Sequence, residues 1–74
     1  NRRITLVGGS GGVPAPGTKL QLGDKEVGWI SSAAAEGATF AALAFLRHEV
    51  WEPGTELQRE DGGSVTVQTP RREA

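Results

Sequence analysis

The sequence has no cysteine, a single histidine and no long apolar run, and each lack removes a class of function. Without cysteine there are no disulfides, zinc ribbons, iron–sulfur clusters or thiol nucleophiles. With His48 alone there is neither a His-rich metal site nor a histidine pair for acid–base work. The longest apolar stretch, Phe40 to Leu46, is too short to span a bilayer, and no signal-peptide pattern opens the chain. Charge of one sign is lacking too: 8 Lys+Arg against 9 Asp+Glu give a formal net charge of -1. That balance argues against nucleic acid or an anionic membrane as a partner. At 74 residues the chain is one small domain with a thin core, and packing alone must close it. Composition therefore points to a small, soluble, cytoplasmic domain without metal, and leaves its activity open.

What the sequence does have is glycine: 11, with 4 prolines. Disorder is one way to use so many chain-reversing residues. Short strands joined by tight turns are the other, and the order of the glycines favours the strands. Arg3–Val7 is a β-branched run that stops at Gly8-Gly9. Residues 8–17 (GGSGGVPAPG) then read as a flexible Gly/Pro loop. Thr18–Leu22 alternates polar and apolar residues, and Gly23-Asp24-Lys25 turns the chain into Glu26–Ser32 as a hairpin partner. Gly28 inside that strand signals a bulge or a close backbone approach. Thr55–Glu60 and Ser64–Thr69 flank Asp61-Gly62-Gly63, a second hairpin signal, and residues 70–74 read as a frayed charged tail.

Between Ala33 and Val50 local rules conflict. Ala38–Glu49 is rich in the best helix formers, and Phe40, Leu43, Ala44 and Arg47 share one helical face. A fully buried strand competes, because both faces stay apolar as far as Leu46. Periodicity alone does not separate the two.

Few residues offer chemistry. Gly8–Gly12 has a phosphate-loop look, but the Lys-Ser/Thr and the helix that such a loop requires do not follow. Ser31-Ser32 lacks a nucleophile elbow, and His48 has no orienting carboxylate visible in sequence, so both read as ordinary strand residues. Glu49, Glu52, Glu56, Glu60 and Asp61 lie among turns and read as solvated. Trp51 fits a surface contact and a core edge equally, whereas Trp29 leans towards an interface. Arg2-Arg3 and Arg71-Arg72, at the two ends, would form one basic patch if the termini met.

Three segments carry a resemblance: Gly23–Ala33 (GDKEVGWISSA), Ala42–Arg47 (ALAFLR) and Gly54–Leu57 (GTEL), with Arg2–Val7 (RRITLV) as a matching opening strand. Together they resemble the C-terminal domain of the aminomethyltransferase superfamily, which includes the glycine-cleavage T-protein and the YgfZ-type folate-binding proteins of iron–sulfur maintenance. The likeness runs from about Arg2 to Thr69. It implies an all-β fold, a small six-stranded antiparallel Greek-key-like β-barrel, with Ala41–Val50 as a buried strand despite its helix propensity. It also implies an accessory barrel that packs against an upstream folate-binding domain of the same chain and helps close a tetrahydrofolate site. For contact with that cavity or domain, Trp29 and Arg47 are the candidates, with the Ser31-Ser32 hydroxyls behind them. An indole can stack on a ring, and a guanidinium can pair with a carboxylate of a glutamate tail. The sequence departs from the family at Ala35–Thr39 and Thr69–Arg71, and the Lys-Gly-Cys motif of the YgfZ-like branch is absent. The catalytic parts of the family lie upstream, so no catalytic residue carries over. The competing class is a stand-alone protein-interaction barrel that binds through an edge strand. An OB-like single-strand nucleic-acid barrel is a third, opposed by the charge balance.

Overall fold

Turn chemistry sets the order of the strands. The protein is described here from a computed structural model covering residues 2–68. Its strands are β1 (Arg2–Ser10), β2 (Lys19–Leu22), β3 (Lys25–Glu36), β4 (Thr39–Arg47), β5 (Glu56–Arg59) and β6 (Ser64–Val67), with a 3-10 turn at His48–Val50. Leu22 faces Lys25 across Gly23-Asp24, and Glu36 faces Thr39 across Gly37-Ala38. Each two-residue turn begins with a glycine at positive φ, +64° at Gly23 and +66° at Gly37. A glycine in the first central position suits the primed hairpin turns, whose twist matches that of the strands they join. β2, β3 and β4 therefore form a meander. The long link from β1 returns the chain so that β4 lies beside β1, and the closed order is β1-β4-β3-β2-β5-β6. All pairings are antiparallel. This is the six-stranded Greek-key arrangement expected.

β4 resolves the conflict between helix and strand. Every residue from Thr39 to Arg47 lies opposite a residue of β1, and most also lie opposite β3. Pairing on both sides satisfies the backbone that a helix would otherwise satisfy internally, so tertiary context overrides the Ala/Leu propensity. Side chains alternate: Phe40, Ala42, Ala44 and Leu46 are buried, while Ala41, Leu43, Phe45 and Arg47 point outward. The strand is thus not buried on both faces, and it ends at Arg47 rather than Val50. There the chain turns so that Val50 drops into the core, and the Trp51 indole N–H donates to the Leu46 carbonyl at 2.7 Å. Trp51 is accordingly a core-edge residue, and His48 an exposed turn residue rather than a strand one.

Two other boundaries shift. β1 continues through Gly8, Gly9 and Ser10, so the loop is shorter than residues 8–17. In that loop the Thr18 hydroxyl donates to the Ala15 carbonyl at 2.7 Å. β3 runs on through Ala33–Glu36 as the outgoing arm of the β3–β4 hairpin. The tail expected at 70–74 lies outside the described residues.

The core is aliphatic apart from Phe40: Val7, Leu20, Val27, Ile30, Leu46, Leu57, Val65 and Val67 are each at most 2% exposed. Two irregularities in β3 aim residues into it. Leu20 faces Gly28 while Gln21 faces Glu26, which leaves Val27 as an extra, inward residue. A second break leaves Ser31 extra between Ile30 and Ser32. Such bulges bend a strand and let a small sheet curl shut. Gly28 beside the first bulge permits a close approach of β3 and β4, because a Cβ there would lie 1.9 Å from the Phe45 carbonyl oxygen. Both readings of Gly28 from sequence, bulge and close approach, meet at this point. Gly28→Ala must push β3 and β4 apart, and we expect it to cost about 3 kcal/mol of stability, the upper end of ordinary overpacking. Urea unfolding at equilibrium measures this directly, and an unchanged midpoint would contradict the close approach.

Candidate functional site

The outer faces of β3, β4 and β1 lie side by side and are apolar where a barrel wall meets solvent. Phe45 sits between Ile4 of β1 and Trp29 of β3, and Leu43 between Leu6 and Ser32. Ile4 is 51% exposed and Leu43 40%, while Leu6, Phe45 and Trp29 are half-buried. The Trp29 and Phe45 rings are tilted at 39° with centroids 5.6 Å apart. The Arg2 guanidinium lies over the indole, 4.9 Å from its centre, in cation–π contact. Arg2 is also the cross-strand neighbour of Arg47.

The two residues singled out from sequence thus share one face. Trp29 lies opposite Phe45, and Arg47 follows two residues on along β4, with its side chain on the same side. The Arg47 Nε is 3.7 Å from Glu49, whose other carboxylate oxygen accepts from the Lys25 ammonium at 2.6 Å. Among the described residues Arg47 has no carboxylate partner besides Glu49, and Lys25 takes the shorter contact with that carboxylate. A folate would meet a surface here rather than a cavity. One flank of Trp29 is covered by Arg2 and Phe45, and the grooves on the barrel surface are lined by other residues. On this open surface Trp29 presents a ring edge and Arg47 a guanidinium able to pair with a carboxylate.

The remaining candidates stay apart. Ser31 is half-buried at its bulge and Ser32 exposed. Ser32 faces Leu43, roughly 13 Å of extended strand from Arg47 and the turn that bears His48. His48 packs edge-on against Trp51 with centroids 4.8 Å apart, so serine and histidine form no nucleophile–base pair. Gly8–Gly12 precedes no helix, which removes the phosphate-loop geometry. Arg3 stacks on Trp51 at 4.6 Å, and Arg71-Arg72 lie outside the described residues, so the joint basic patch is not formed by anything described. Among the described residues no group of three or more His, Asp or Glu can hold a metal ion, and no helix is long and apolar enough to cross a membrane.

The carboxylates serve local structure. Glu60 accepts from the Lys19 backbone N–H at 3.0 Å. Asp61 accepts from Arg59 at 2.7 Å, and that guanidinium also donates to the Gly12 carbonyl at 2.8 Å while lying 5.4 Å from the Phe40 ring centre. Arg59 therefore clamps the β1–β2 loop to the β5–β6 turn. Its side chain is only 7% exposed, and its Nε has no partner among the described residues. Beside this clamp a groove of about 830 Å³ runs along Gly8, Gly9, Phe40, Thr66 and Gln68. β3 beyond Ile30 is paired with β4 only, so Ser31–Glu36 keeps one unpaired side although the barrel is closed.

The sequence reading missed the apolar wall around Trp29. Its signal was present in two places, the outward set Ala41, Leu43 and Phe45 of β4 and the matching Ile4 and Leu6 of β1. A strand that is apolar on both faces in so thin a barrel has one of those faces outside.

Fold and surface define a small closed β-barrel domain with an apolar outer wall on β1, β4 and β3. The chain belongs to the family of the CAF17 C-terminal beta-barrel domain, whose family model matches residues 1–72. That places it in the aminomethyltransferase-like group of YgfZ and CAF17, in agreement with the resemblance at that level. A comparison with curated proteins finds no match.

The ion pairs have a defined pH sign. Hydrogen bonding from Arg59 holds Asp61 below its ordinary pKa, and hydrogen bonding from Lys25 does the same for Glu49. A carboxyl depressed in the folded state stabilises it above the unfolded pKa and loses that contribution as pH falls through the folded value. Acidification from neutral through the carboxylate range should therefore lower the melting temperature. The double variant Asp61→Asn/Glu49→Gln should lose less over the same range, as thermal melts at several pH values would reveal.

Proposed function

We propose that the chain is the accessory C-terminal barrel of a folate-binding, aminomethyltransferase-like protein, working in one-carbon transfer, glycine cleavage or iron–sulfur maintenance. In this reading the barrel packs against an upstream folate-binding domain of the same polypeptide and helps close its tetrahydrofolate site. The observation that carries the reading is the family match, which spans residues 1–72 and is to a domain described as C-terminal. The described residues support it from the other side, since the outer faces of β1, β4 and β3 present an apolar wall of the kind a neighbouring domain covers.

Trp29 and Arg47 are the residues proposed to meet the cofactor. The indole would lie against the ring system at the rim of the site, and the guanidinium would pair with a glutamate-tail carboxylate. A stand-alone protein-interaction barrel is the second reading. The unpaired side of Ser31–Glu36, where an extended peptide can add as a strand, is what favours it.

The test is a titration of the longer polypeptide with a reduced folate. Trp29→Ala should weaken binding about tenfold, or about 1.4 kcal/mol, for a contact made at a rim rather than in a closed pocket. Arg47→Ala should lose more affinity for a folate with its glutamate tail than for the tail-less pterin. If both variants bind as the wild type does, the barrel takes no part in the folate site.

A further inference from the structure

The outer wall of β3, β4 and β1 raises a physical question that cofactor binding does not answer. Ile4, Leu6, Leu43, Phe45 and Trp29 form one contiguous apolar patch across neighbouring strands, and its two most exposed members stand at 51% and 40%. Contiguous apolar surface of this kind marks an interaction site, whereas scattered apolar side chains do not. Its composition is also that of an interface centre, with a tryptophan, a phenylalanine and an arginine stacked together.

The border of the patch identifies what it meets. At the end where β1 begins, Arg2 and Arg47 are cross-strand neighbours, a like-charge pair that is unfavourable when left by itself. Among the described residues the only acidic group paired with either is Glu49, at 3.7 Å from Arg47, and Lys25 takes its shorter contact. This edge therefore calls for carboxylates from outside the barrel. A polypeptide arriving from a preceding domain would enter at this same border, beside Trp29 and Arg47.

We infer that the β1–β4–β3 wall is the docking surface for the preceding domain of the same polypeptide, through an apolar patch on that domain bordered by carboxylates that pair with Arg2 and Arg47. The inference rests on the accessory-domain reading above and adds to it the surface and its chemistry. Docking here covers Phe45 and Leu43 completely and leaves Trp29 at the margin, where a bound ligand can still reach its edge.

The experiment uses the longer polypeptide without folate, so that docking is read separately from cofactor binding. Hydroxyl-radical footprinting should find Phe45 and Leu43 protected in the wild type. Leu43→Asp places a charge at the centre of the patch without touching the core, and it should expose Phe45 and speed protease cleavage between the domains at least tenfold. Losing a central interface anchor weakens binding by about 30-fold or more. Arg47→Glu should act in the same direction through the charged border, and it retains the apolar patch should Leu43→Asp fail to fold. If neither variant changes cleavage or protection, the docking surface is wrong, whatever folate binding does. If cleavage rises while folate affinity stays the same, the docking surface stands and the closing of the folate site falls. Protection that grows with protein concentration, with a doubled sedimentation mass, would overturn the inference in favour of a second copy of the chain.

Discussion

Everything in this barrel depends on the close approach of β3 and β4 at Gly28. A side chain there would sit 1.9 Å from the Phe45 carbonyl, so the strands can meet only because the position has none. The approach, with the bulge at Val27, bends β3 and carries Val27 and Ile30 into the interior. It also fixes the register that puts Trp29 opposite Phe45 on the outside. Because side chains alternate with a period of two, a slip of one residue would exchange the core and the outer wall. One glycine thus sets both what the barrel encloses and what it presents.

The two faces of β4 divide the work. Inward, Phe40, Ala42, Ala44 and Leu46 fill a narrow interior in which two alanines leave room for larger residues from the other strands. Outward, Leu43 and Phe45 form an apolar wall that the isolated barrel leaves open to water. Apolar residues on both faces are a liability in a protein that works alone and an asset in a domain that works against another. The matching family is described as a C-terminal domain, and this outer wall is the surface proposed above to meet the domain before it.

Much of the fold was legible in the sequence. The turn at Gly23-Asp24 and the alternation in Thr18–Leu22 and Ser64–Val67 followed local chemistry closely. The β4 strand did not, because Ala and Leu favour a helix when no partner is considered. One local signal bore on it: Gly37-Ala38 is a two-residue hairpin turn, and it would have marked the return strand without any appeal to resemblance. The 3-10 turn at His48–Val50 carried no comparable mark, since it forms to drop Val50 into the core and to bond Trp51 to Leu46. Trp29 and Arg47 were singled out for their chemistry, but Arg2, the residue that stacks on Trp29, was read as part of the opening strand and of a charged end, not as a partner of Trp29.

By itself the sequence determined that this is a small, strand-rich domain without disulfides, with turns placed by glycine and a segment able to be strand or helix. Those features follow from backbone freedom, side-chain branching and composition, which act over a few residues. Only the tertiary structure decided that the ambiguous segment is a strand, that Arg2 covers Trp29, and that one wall of the barrel is apolar on its outside. Each of these depends on which strand lies beside which. In a closed barrel that order comes from packing across long stretches of chain, as when β1 is joined to β4.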